Sequence, residues 1–332
     1  MTTRTLGSGL HVSALGLGCM GMSDFYGPAD EAESIATIRA ALDAGITLLD
    51  TGDYYAAGHN ELLIREALRG RPREELVVSV KFGLMRAPDG SIVGHDVRPA
   101  AVKSSLAYTL RRLGTDHVEV YRPGRVFPDV PIEETVGAIG ELVDAGYVRH
   151  VGLSEAGAET VRRAHATHPI SDLQIEYSLL SRGIEDEILP TCHELGVGIT
   201  AYGVLSRGLL SGHWSKERAS SLAARDFRAS APRFQGENLE RNFELVDALR
   251  ALAEEKGATV AQLAIAWVLA RGDDVVPLVG ARTGERLAEA LGALELELTA
   301  HDLARIEEAV PAGAAAGDRY HAEQMASLDS ER

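Results

Sequence analysis

The chain has 332 residues, of which 45% are hydrophobic and 25% are charged, the balance of a folded protein with a sizeable core. Its formal net charge of -16 disfavours nucleic acid and anionic membrane surfaces as partners, and no local basic patch offsets it. Cys19 and Cys192 are too few for a disulfide framework and have no metal-ligand spacing to histidines. With no signal sequence after Met1 and no bilayer-length apolar run, we expect a cytoplasmic protein that holds no metal.

The N-terminal part of the chain is rich in glycine. Arg4 to Val12 predicts two short strands around a Gly-Ser-Gly turn, a hairpin that would close one end of the structure. The run from Gly16 to Gly21 has the GxGxxG spacing of a dinucleotide-binding Rossmann loop. A Rossmann loop opens a helix at its last glycine, whereas helical periodicity starts here only near Asp30. The next strand-ending acid, Asp50, also comes 29 residues later rather than about 20, so the Rossmann fold is disfavoured.

From Asp30 onward, strand and helix patterns alternate. The predicted strands are Leu15–Gly18, Thr47–Asp50, Leu76–Lys81, His117–Tyr121, His150–Leu153, Leu173–Tyr177, Gly198–Ala201 and Val275–Val279. The predicted helices are Ala32–Ala44, Asn60–Leu68, Arg98–Leu113, Ile132–Ala145, Ala158–Thr167, Ile184–Leu195, Leu239–Lys256, Val260–Arg271, Glu285–Ala293 and Ala300–Glu308. A long loop from Leu205 to Asn238 interrupts the series. Eight strands, each followed by a helix, predict an α/β protein with a (β/α)8 TIM barrel, an N-terminal hairpin cap and two extra helices.

Three chemically useful residues fall where predicted strands end. Asp50 and Lys81 each end a strand, and Tyr55 lies in the loop after Asp50. Each has an ordinary alternative, as a helix cap, a solvated charge or a surface aromatic. Active sites of this fold occupy the C-terminal ends of the strands, which favours a shared catalytic role. We expect an Asp50–Lys81 ion pair that lowers the pKa of Tyr55 from about 10 and makes it a proton donor.

The stretch from Leu48 to Tyr55, with Lys81 at the end of the next strand, resembles the aldo-keto reductases. Their catalytic tetrad is Asp, Tyr, Lys and His, and Asp50, Tyr55 and Lys81 match three of its members. The resemblance covers nearly the whole chain and favours the NADPH-dependent bacterial branch related to the potassium-channel β-subunits. It implies one barrel domain over residues 1–332, with 311–332 as a C-terminal tail that is either a flap or a frayed end.

The resemblance fails at the fourth tetrad member. The run from Tyr121 to Pro128 places Gly124 at the histidine position, between the matching segments Thr115–His117 and Pro131–Thr135. Losing that hydrogen-bond donor to the substrate carbonyl costs roughly 2.7 to 4 kcal/mol of transition-state stabilisation. We expect the glycine to leave room for a bulky ketone, with Arg122 or a water molecule as a replacement donor.

The resemblance also implies a set of cofactor-binding residues. Ser154 and Gln174 would bind the nicotinamide carboxamide, and Tyr202 would stack on the nicotinamide ring. The pyrophosphate loop would place Leu205, Arg207 and Leu209 along the cofactor. The last barrel strand and the helix after it would contribute Gly280, Arg282, Arg286 and Glu289. The two arginines at a helix N-terminus match contacts to a 2'-phosphate, which favours NADPH/NADP+ over NADH.

The resemblance implies an NADPH-dependent oxidoreductase that reduces an aldehyde or ketone to an alcohol. The expected substrate pocket contains Phe25, Tyr26, Gly124, Phe127 and Trp214, which suits a bulky natural-product or polyketide ketone. Two alternatives stay open: a regulatory NADPH-binding protein like the channel β-subunits, and a pyridoxal reductase. The expected partner is a small-molecule carbonyl compound, and the sequence leaves the oligomeric state open, a homo-oligomer included.

Overall fold

A computed structural model describes residues 1–223 and 226–332, and it contains a closed barrel of eight parallel strands surrounded by helices. The predicted (β/α)8 fold is confirmed. Residues 224 and 225, inside the predicted loop from Leu205 to Asn238, lie outside the described residues. The described strands are β1 Thr3–Leu6, β2 Leu10–Ser13, β3 Gly16–Gly18, β4 Leu48–Gly52, β5 Val77–Phe82, β6 Leu84–Arg86, β7 Ile92–His95, β8 Val118–Pro123, β9 Val148–Ser154, β10 Ile170–Glu176, β11 Gly198–Tyr202 and β12 Val275–Val279.

The described helices agree with most of the predicted ones, and five of them begin at a residue whose side chain caps the first turn. They are α1 Glu31–Asp43, α2 His59–Ala67, α3 Pro99–Leu113, α4 Ile132–Asp144, α5 Ala158–Thr167, α6 Ile188–Leu195, α7 Lys216–Ser220, α8 Gly236–Glu255, α9 Val260–Leu269, α10 Gly284–Leu291, α11 Ala300–Ala309 and α12 Ala322–Ser327. Helix α1 begins where Asp30 accepts a hydrogen bond from the Glu33 amide, and α3 ends at Gly114 in the left-handed conformation.

The barrel closes where its first and last strands pair. Around the barrel the strand order is β10, β11, β12, β3, β4, β5, β8 and β9. Leu278 of β12 lies opposite Gly16 of β3. A Cβ atom at Gly16 would lie 2.5 Å from Leu278 Cδ2 and 2.8 Å from Leu48 Cδ2, distances that side chains do not tolerate. Glycine therefore allows the leucines of the neighbouring strands to pack across the closing seam.

Two apolar clusters form the core. The larger one packs the strands against the surrounding helices and includes the fully buried Leu49, Val80 and Ile139. The smaller one lies at the N-terminal end of the barrel, where Leu6 and Leu10 of the β1–β2 hairpin pack with strand residues such as Val120 and Val276. The hairpin caps this end, as expected. Chemistry is therefore left to the opposite end, where the strands point their carboxyl termini.

Some elements of the structure lie outside the predicted alternation. The polar loop after Lys81 contains a short antiparallel hairpin, β6 with β7, whose turn passes through Gly90 at a positive φ. The long loop after β11 contains α7, and the C-terminal tail contains α12. Within the described residues, no helix is both long and apolar enough to cross a membrane.

Candidate active site

A buried ion pair between adjacent strands forms the base of the site. Asp50 in β4 and Lys81 in β5 are both buried, and Lys81 Nζ lies 2.5 Å from Asp50 Oδ2. Asp50 Oδ1 accepts hydrogen bonds from Ser79 Oγ at 3.1 Å and from Gln174 Nε2 at 2.7 Å. Burial lowers the pKa of Lys81, and the Asp50 carboxylate opposes that effect. Because both charges are satisfied, removing either one would leave the other buried and unpaired.

Tyr55 lies directly above this pair. Lys81 Nζ is 5.2 Å from the centroid of its ring, and Phe25 contacts the ring edge-on with centroids 6.3 Å apart. No described residue forms a hydrogen bond with the Tyr55 hydroxyl. Burial, followed by the nearby Tyr54 and Asp50, raises the pKa of Tyr55 well above its ordinary value. The expected lowering of this pKa is therefore wrong, because burial, Tyr54 and Asp50 outweigh the Lys81 ammonium, which faces the ring.

Arg122 is fixed below the site and is not free to contact a substrate. Its guanidinium is 1% exposed, lies 2.9 Å from Asp172 Oδ2 and donates a hydrogen bond of 2.9 Å to Ser79 Oγ. A second, longer bond of 3.4 Å reaches the Leu153 carbonyl. The expectation that Arg122 replaces the missing donor is therefore wrong, since these contacts hold it between strands.

Gly124 borders the Tyr54 side chain rather than an open cavity. Its amide donates to the Phe82 carbonyl at 2.7 Å, which fixes the chain just after β8. A Cβ atom built at Gly124 would lie 2.8 Å from Tyr54 Oη and 3.1 Å from Tyr54 Cε1. The expected extra room for a bulky ketone is therefore wrong, because the Tyr54 phenol already fills the space beside the glycine.

The C-terminal tail forms one wall of the site. Arg319 Nη1 and Nη2 lie 2.9 and 2.5 Å from the two oxygens of Glu155, which follows β9 and is fully buried. The Tyr202 hydroxyl donates to Glu155 Oε1 at 2.7 Å and lies 3.0 Å from the Tyr320 hydroxyl. Burial acts to raise the pKa of Glu155, but Arg319 outweighs it and holds this pKa at about 2.

Further contacts hold the end of the tail in place. Asp329 Oδ2 accepts a 2.7 Å hydrogen bond from the Gly157 amide at the start of α5, and Ser330 Oγ donates to Glu155 Oε2 at 2.7 Å. Glu331 pairs with Arg319 at 2.7 Å. The tail is therefore an ordered part of the site rather than a frayed end.

The five residues expected in the substrate pocket occupy different surroundings. Phe25 and Gly124 lie beside the Tyr54–Tyr55 pair, as described above. Phe127 instead stacks on His95, with ring centroids 3.5 Å apart. The Tyr26 ring lies 4.8 Å from the Arg228 guanidinium.

Trp214 lies elsewhere, in the long loop after β11. It packs edge-on against Phe234, with centroids 4.9 Å apart, and its Nε1 approaches Gly208 closely. For Tyr26, Phe127 and Trp214, membership of one substrate pocket with Phe25 and Gly124 stays a prediction.

A partly buried acid, Asp53, lies directly before the Tyr54–Tyr55 pair. The Asp53 amide donates to the Lys81 carbonyl at 2.8 Å, and its carboxyl oxygen Oδ1 is buried with no partner among the described residues. Burial, with a contribution from Glu61, raises the pKa of Asp53 to about 7, while Arg112, which pairs with Glu61, acts to lower it. Within the described residues, no cluster of His, Cys, Asp and Glu side chains could hold a metal ion.

Comparison with known proteins gives this arrangement a family. The sequence model of the Aldo/keto reductase family matches residues 14–311. A "Probable aldo-keto reductase 1" of Glycine max is 45% identical over 319 residues, covering 94% of this chain and 90% of the relative. The chain belongs to the aldo/keto reductase family. Carbonyl reduction with a nicotinamide cofactor is the general activity of this family.

Solved structures of aldo/keto reductases have the same fold. A glycerol dehydrogenase of Gluconobacter oxydans superposes with a TM-score of 0.84 at 28% identity, over 92% of this chain and 94% of that one. An aldo-keto reductase of Bacillus halodurans, in its holo form, gives a TM-score of 0.78 at 29% identity, over 94% and 97% of the two chains.

The nicotinamide end of an aldo/keto reductase cofactor fits the residues present here. Ser154 Oγ is buried and has no partner among the described residues, which suits a hydrogen bond to a carboxamide. Gln174 Nε2 is held by Asp50, while no described residue donates to its Oε1. Tyr202 is fixed by its bond to Glu155. These residues would hold the nicotinamide.

Part of the predicted pyrophosphate loop forms contacts with other residues of the protein. Ser206 and Arg207 adopt positive φ values of 46° and 55°, which turn the chain sharply after β11. Arg207 Nη2 lies 2.8 Å from Glu176 Oε2, and its guanidinium lies 4.5 Å from the Tyr320 ring centroid. Leu205 is partly buried, and Leu209 is fully buried in the main core. The placement of the Leu209 side chain along a cofactor is therefore wrong.

The N-terminus of α10 carries the predicted phosphate residues. Thr283 caps the helix by accepting from the Arg286 amide, and Gly280 is exposed just after β12. Arg286 Nη1 lies 3.0 Å from Glu289 Oε2 and 2.5 Å from His213 Nε2. Glu289 is thus paired with Arg286 in the absence of an anion.

Positive charge is concentrated around this helix end. Arg282 donates to the Tyr26 carbonyl at 2.9 Å and also bonds to Pro28, which ties the loop after β3 to the phosphate region. Burial, together with Arg228, Arg286 and Arg282, lowers the pKa of Arg218. A cluster of arginines that repel one another in an acidic protein suits an anionic ligand.

Sequence reasoning passed over five residues that the structure brings to the site: Tyr54, Arg125, Glu155, Arg319 and Tyr320. The doubled tyrosine beside the departing Gly124 was a usable signal, since a lost side chain often has a replacement nearby. The tail residues gave no such signal, because their partners lie far away in the chain.

Proposed function

We propose that this protein is an NADPH-dependent reductase that converts an aldehyde or ketone to an alcohol. The observation that supports it best is the Asp50–Lys81 pair beneath Tyr55, at the carboxyl ends of adjacent barrel strands. The Tyr55 hydroxyl has no partner among the described residues, so it is available to a substrate oxygen.

The chain's residues divide the work of the reaction. The bound cofactor would supply a hydride to the carbonyl carbon. Tyr55 would transfer its proton to the carbonyl oxygen, and water would later restore that proton. The Tyr55 hydroxyl is protonated at neutral pH, since burial raises its pKa, so it carries the proton that reduction consumes. Lys81 would stabilise the tyrosinate as it forms, and Asp50 holds Lys81 in position.

The arginines around α10 support NADPH rather than NADH. Arg286 lies in the first turn of this helix, and Arg218, Arg228 and Arg282 concentrate positive charge there. A 2'-phosphate would gain charge-assisted hydrogen bonds that NADH cannot form.

The filled space at Gly124 favours a small or slender carbonyl compound over a bulky ketone. The glycerol dehydrogenase among the structural neighbours makes three-carbon hydroxyaldehydes and hydroxyketones natural members of a test panel. Pyridoxal and a bulky aromatic ketone complete the panel.

The test is oxidation of NADPH by each carbonyl compound, followed by absorbance. Tyr55→Phe should lower kcat/KM by a factor of at least about 100, the lower end of the contribution of general acid catalysis. NADPH affinity, measured by fluorescence, should stay close to wild type. Tyr147→Phe removes a hydroxyl from a ring that is 48% exposed and serves as the matched control. Near-normal turnover by Tyr55→Phe would exclude it as the donor, and a wild type that never oxidises bound NADPH would favour a regulatory role.

A further inference from the structure

The side chain that occupies the place beside Gly124 carries its own hydrogen-bond donor. A Cβ atom at Gly124 would meet the Tyr54 hydroxyl oxygen before any other atom, at 2.8 Å. The next nearest atoms are Tyr54 Cε1 at 3.1 Å and the Phe82 carbonyl oxygen at 3.3 Å. Any side chain projecting from position 124 would therefore compete with the Tyr54 phenol for the same volume.

Tyr54 and Tyr55 present their hydroxyl-bearing ends to one place. Their rings lie edge to face, with centroids 5.0 Å apart and planes at 83°. A Cβ atom built at Gly52 would lie 3.4 Å from Tyr54 Cζ and 3.4 Å from Tyr55 Cζ. Each Cζ carries its hydroxyl oxygen, so the hydroxyl-bearing ends of both rings lie close to the same point above Gly52.

The Tyr54 hydroxyl is not committed to a protein partner. Tyr54 is 6% exposed, yet no described residue donates to its hydroxyl or accepts from it. Its hydroxyl oxygen does not belong to the fully buried side-chain atoms that lack a partner, so it keeps some accessible surface for a substrate oxygen. Arg125, a cation that acts on Tyr54, donates instead to the Gly124 carbonyl at 2.6 Å and to the Tyr320 hydroxyl at 3.5 Å.

We propose that the Tyr54 hydroxyl is a second catalytic donor, which binds the substrate carbonyl oxygen beside Tyr55. The assignment rests on the proposed function. In the reaction a C–H bond forms at the carbonyl carbon with the hydride, and the C=O π electrons move to oxygen. The Tyr55 O–H bond breaks to give that oxygen its proton. The Tyr54 O–H bond stays intact and stabilises the charge that develops on the oxygen.

The electrostatics of the site agree with these two roles, in which Tyr55 transfers a proton and Tyr54 only donates a hydrogen bond. Burial raises the pKa of Tyr54, while Arg125 opposes the effect. The hydroxyl therefore keeps its proton across the neutral range and is able to donate a hydrogen bond to the substrate oxygen. Lys81 lies over the Tyr55 ring, so a negative charge is stabilised on Tyr55 after transfer.

The first experiment is Tyr54→Phe, which removes one oxygen and keeps the ring. Loss of one donor to a developing oxyanion should lower kcat/KM by roughly 100- to 1000-fold. NADPH affinity and the unfolding midpoint should stay at wild-type values. Tyr108→Phe, at a ring that is 59% exposed, is the matched control. Wild-type kcat/KM in Tyr54→Phe would overturn the assignment, whereas a wild type inactive toward every carbonyl compound would refute the proposed function itself.

The second experiment exchanges the donor between the two positions. Gly124→His alone should lower kcat/KM, because the imidazole collides with Tyr54. Tyr54→Ala alone removes the donor and clears the space, so it should also be slow. The double variant Tyr54→Ala with Gly124→His should be at least tenfold faster than Tyr54→Ala, since a donor returns to the same place. A double variant no faster than Tyr54→Ala would overturn the assignment, as would a faster Gly124→His single variant.

Discussion

Arg319→Gln should destabilise the protein by about 3 to 5 kcal/mol, the usual cost of removing one partner from a buried ion pair. Glu155 is fully buried, and both of its oxygens accept from Arg319, at 2.5 and 2.9 Å. Glutamine can still donate one amide hydrogen bond, but it brings no positive charge. The Tyr202 and Ser330 hydroxyls that remain, each 2.7 Å from Glu155, cannot neutralise the carboxylate.

The size of this loss should depend on pH. In the wild type the pKa of Glu155 is held at about 2, below the ordinary value of about 4.3, so the pair stabilises the fold above that ordinary value. Its contribution is lost as the pH falls toward 2. In Arg319→Gln, burial is opposed only by the weaker effects of Arg125 and Ser330, so the pKa of Glu155 rises, and protonation then removes the buried charge. The deficit should therefore be largest near pH 7 and should narrow in mild acid.

Urea unfolding of the wild type and the variant, at neutral and mildly acidic pH, measures both effects. Arg305→Gln is the matched control, because Arg305 forms an equally close two-point pair with Glu255, at 2.7 and 3.0 Å, in exposed surroundings. That substitution should leave the unfolding midpoint almost unchanged, since exposed pairs contribute little. A loss in Arg319→Gln no larger than in the control, or a loss that ignores pH, would refute the reasoning.

Two further predictions concern Arg286 and Asp53. Arg286→Ala should weaken NADPH binding about tenfold or more, the effect of one charge-assisted bond, while NADH binding stays nearly unchanged; equal weakening of both, measured by fluorescence titration, would make Arg286 a structural residue. The folded-state pKa of Asp53 is raised to about 7, so its contribution to stability is full below about pH 4 and is lost as the pH rises through 7. Asp53→Asn should therefore gain stability relative to the wild type between about pH 4 and 8, and a difference in unfolding free energy that is constant over this range would contradict the assignment.

Much of the fold follows from local pattern. Each barrel strand is a short apolar run, and its helix begins or ends at a cap or glycine that the sequence displays. Once the alternation gives the barrel, strand order places Asp50 and Lys81 side by side, because β4 and β5 are neighbours in both sequence and space. Asp50, Tyr55 and Lys81 could therefore be assigned to one site from the sequence alone.

The parts that could not be predicted depend on side-chain direction and on distant contacts. The Lys81 ammonium reaches Asp50 but not the Tyr55 hydroxyl, a matter of rotamers that no sequence pattern gives. The position of Tyr54 beside Gly124 is a packing result of the same kind. Glu155 and Arg319 are 164 residues apart, and nothing local at either position indicates the other. Sequence periodicity indicates local structure, and it gives no information about pairs of residues that are so far apart in the sequence.

The contacts of the C-terminal tail determine when the active site can be completed during synthesis of the chain. Glu155 and Glu176 leave the ribosome well before Arg319, which lies within 2.5 Å of the first and 3.5 Å of the second. Until the last segment emerges, water must solvate the Glu155 carboxylate, because charged groups are not buried without a partner, whereas Glu176 can already pair with Arg207. The barrel strands can pair earlier, but the site remains solvated until the tail has emerged. Water can therefore be excluded from the catalytic end of the barrel only after the final residues of the chain have emerged from the ribosome.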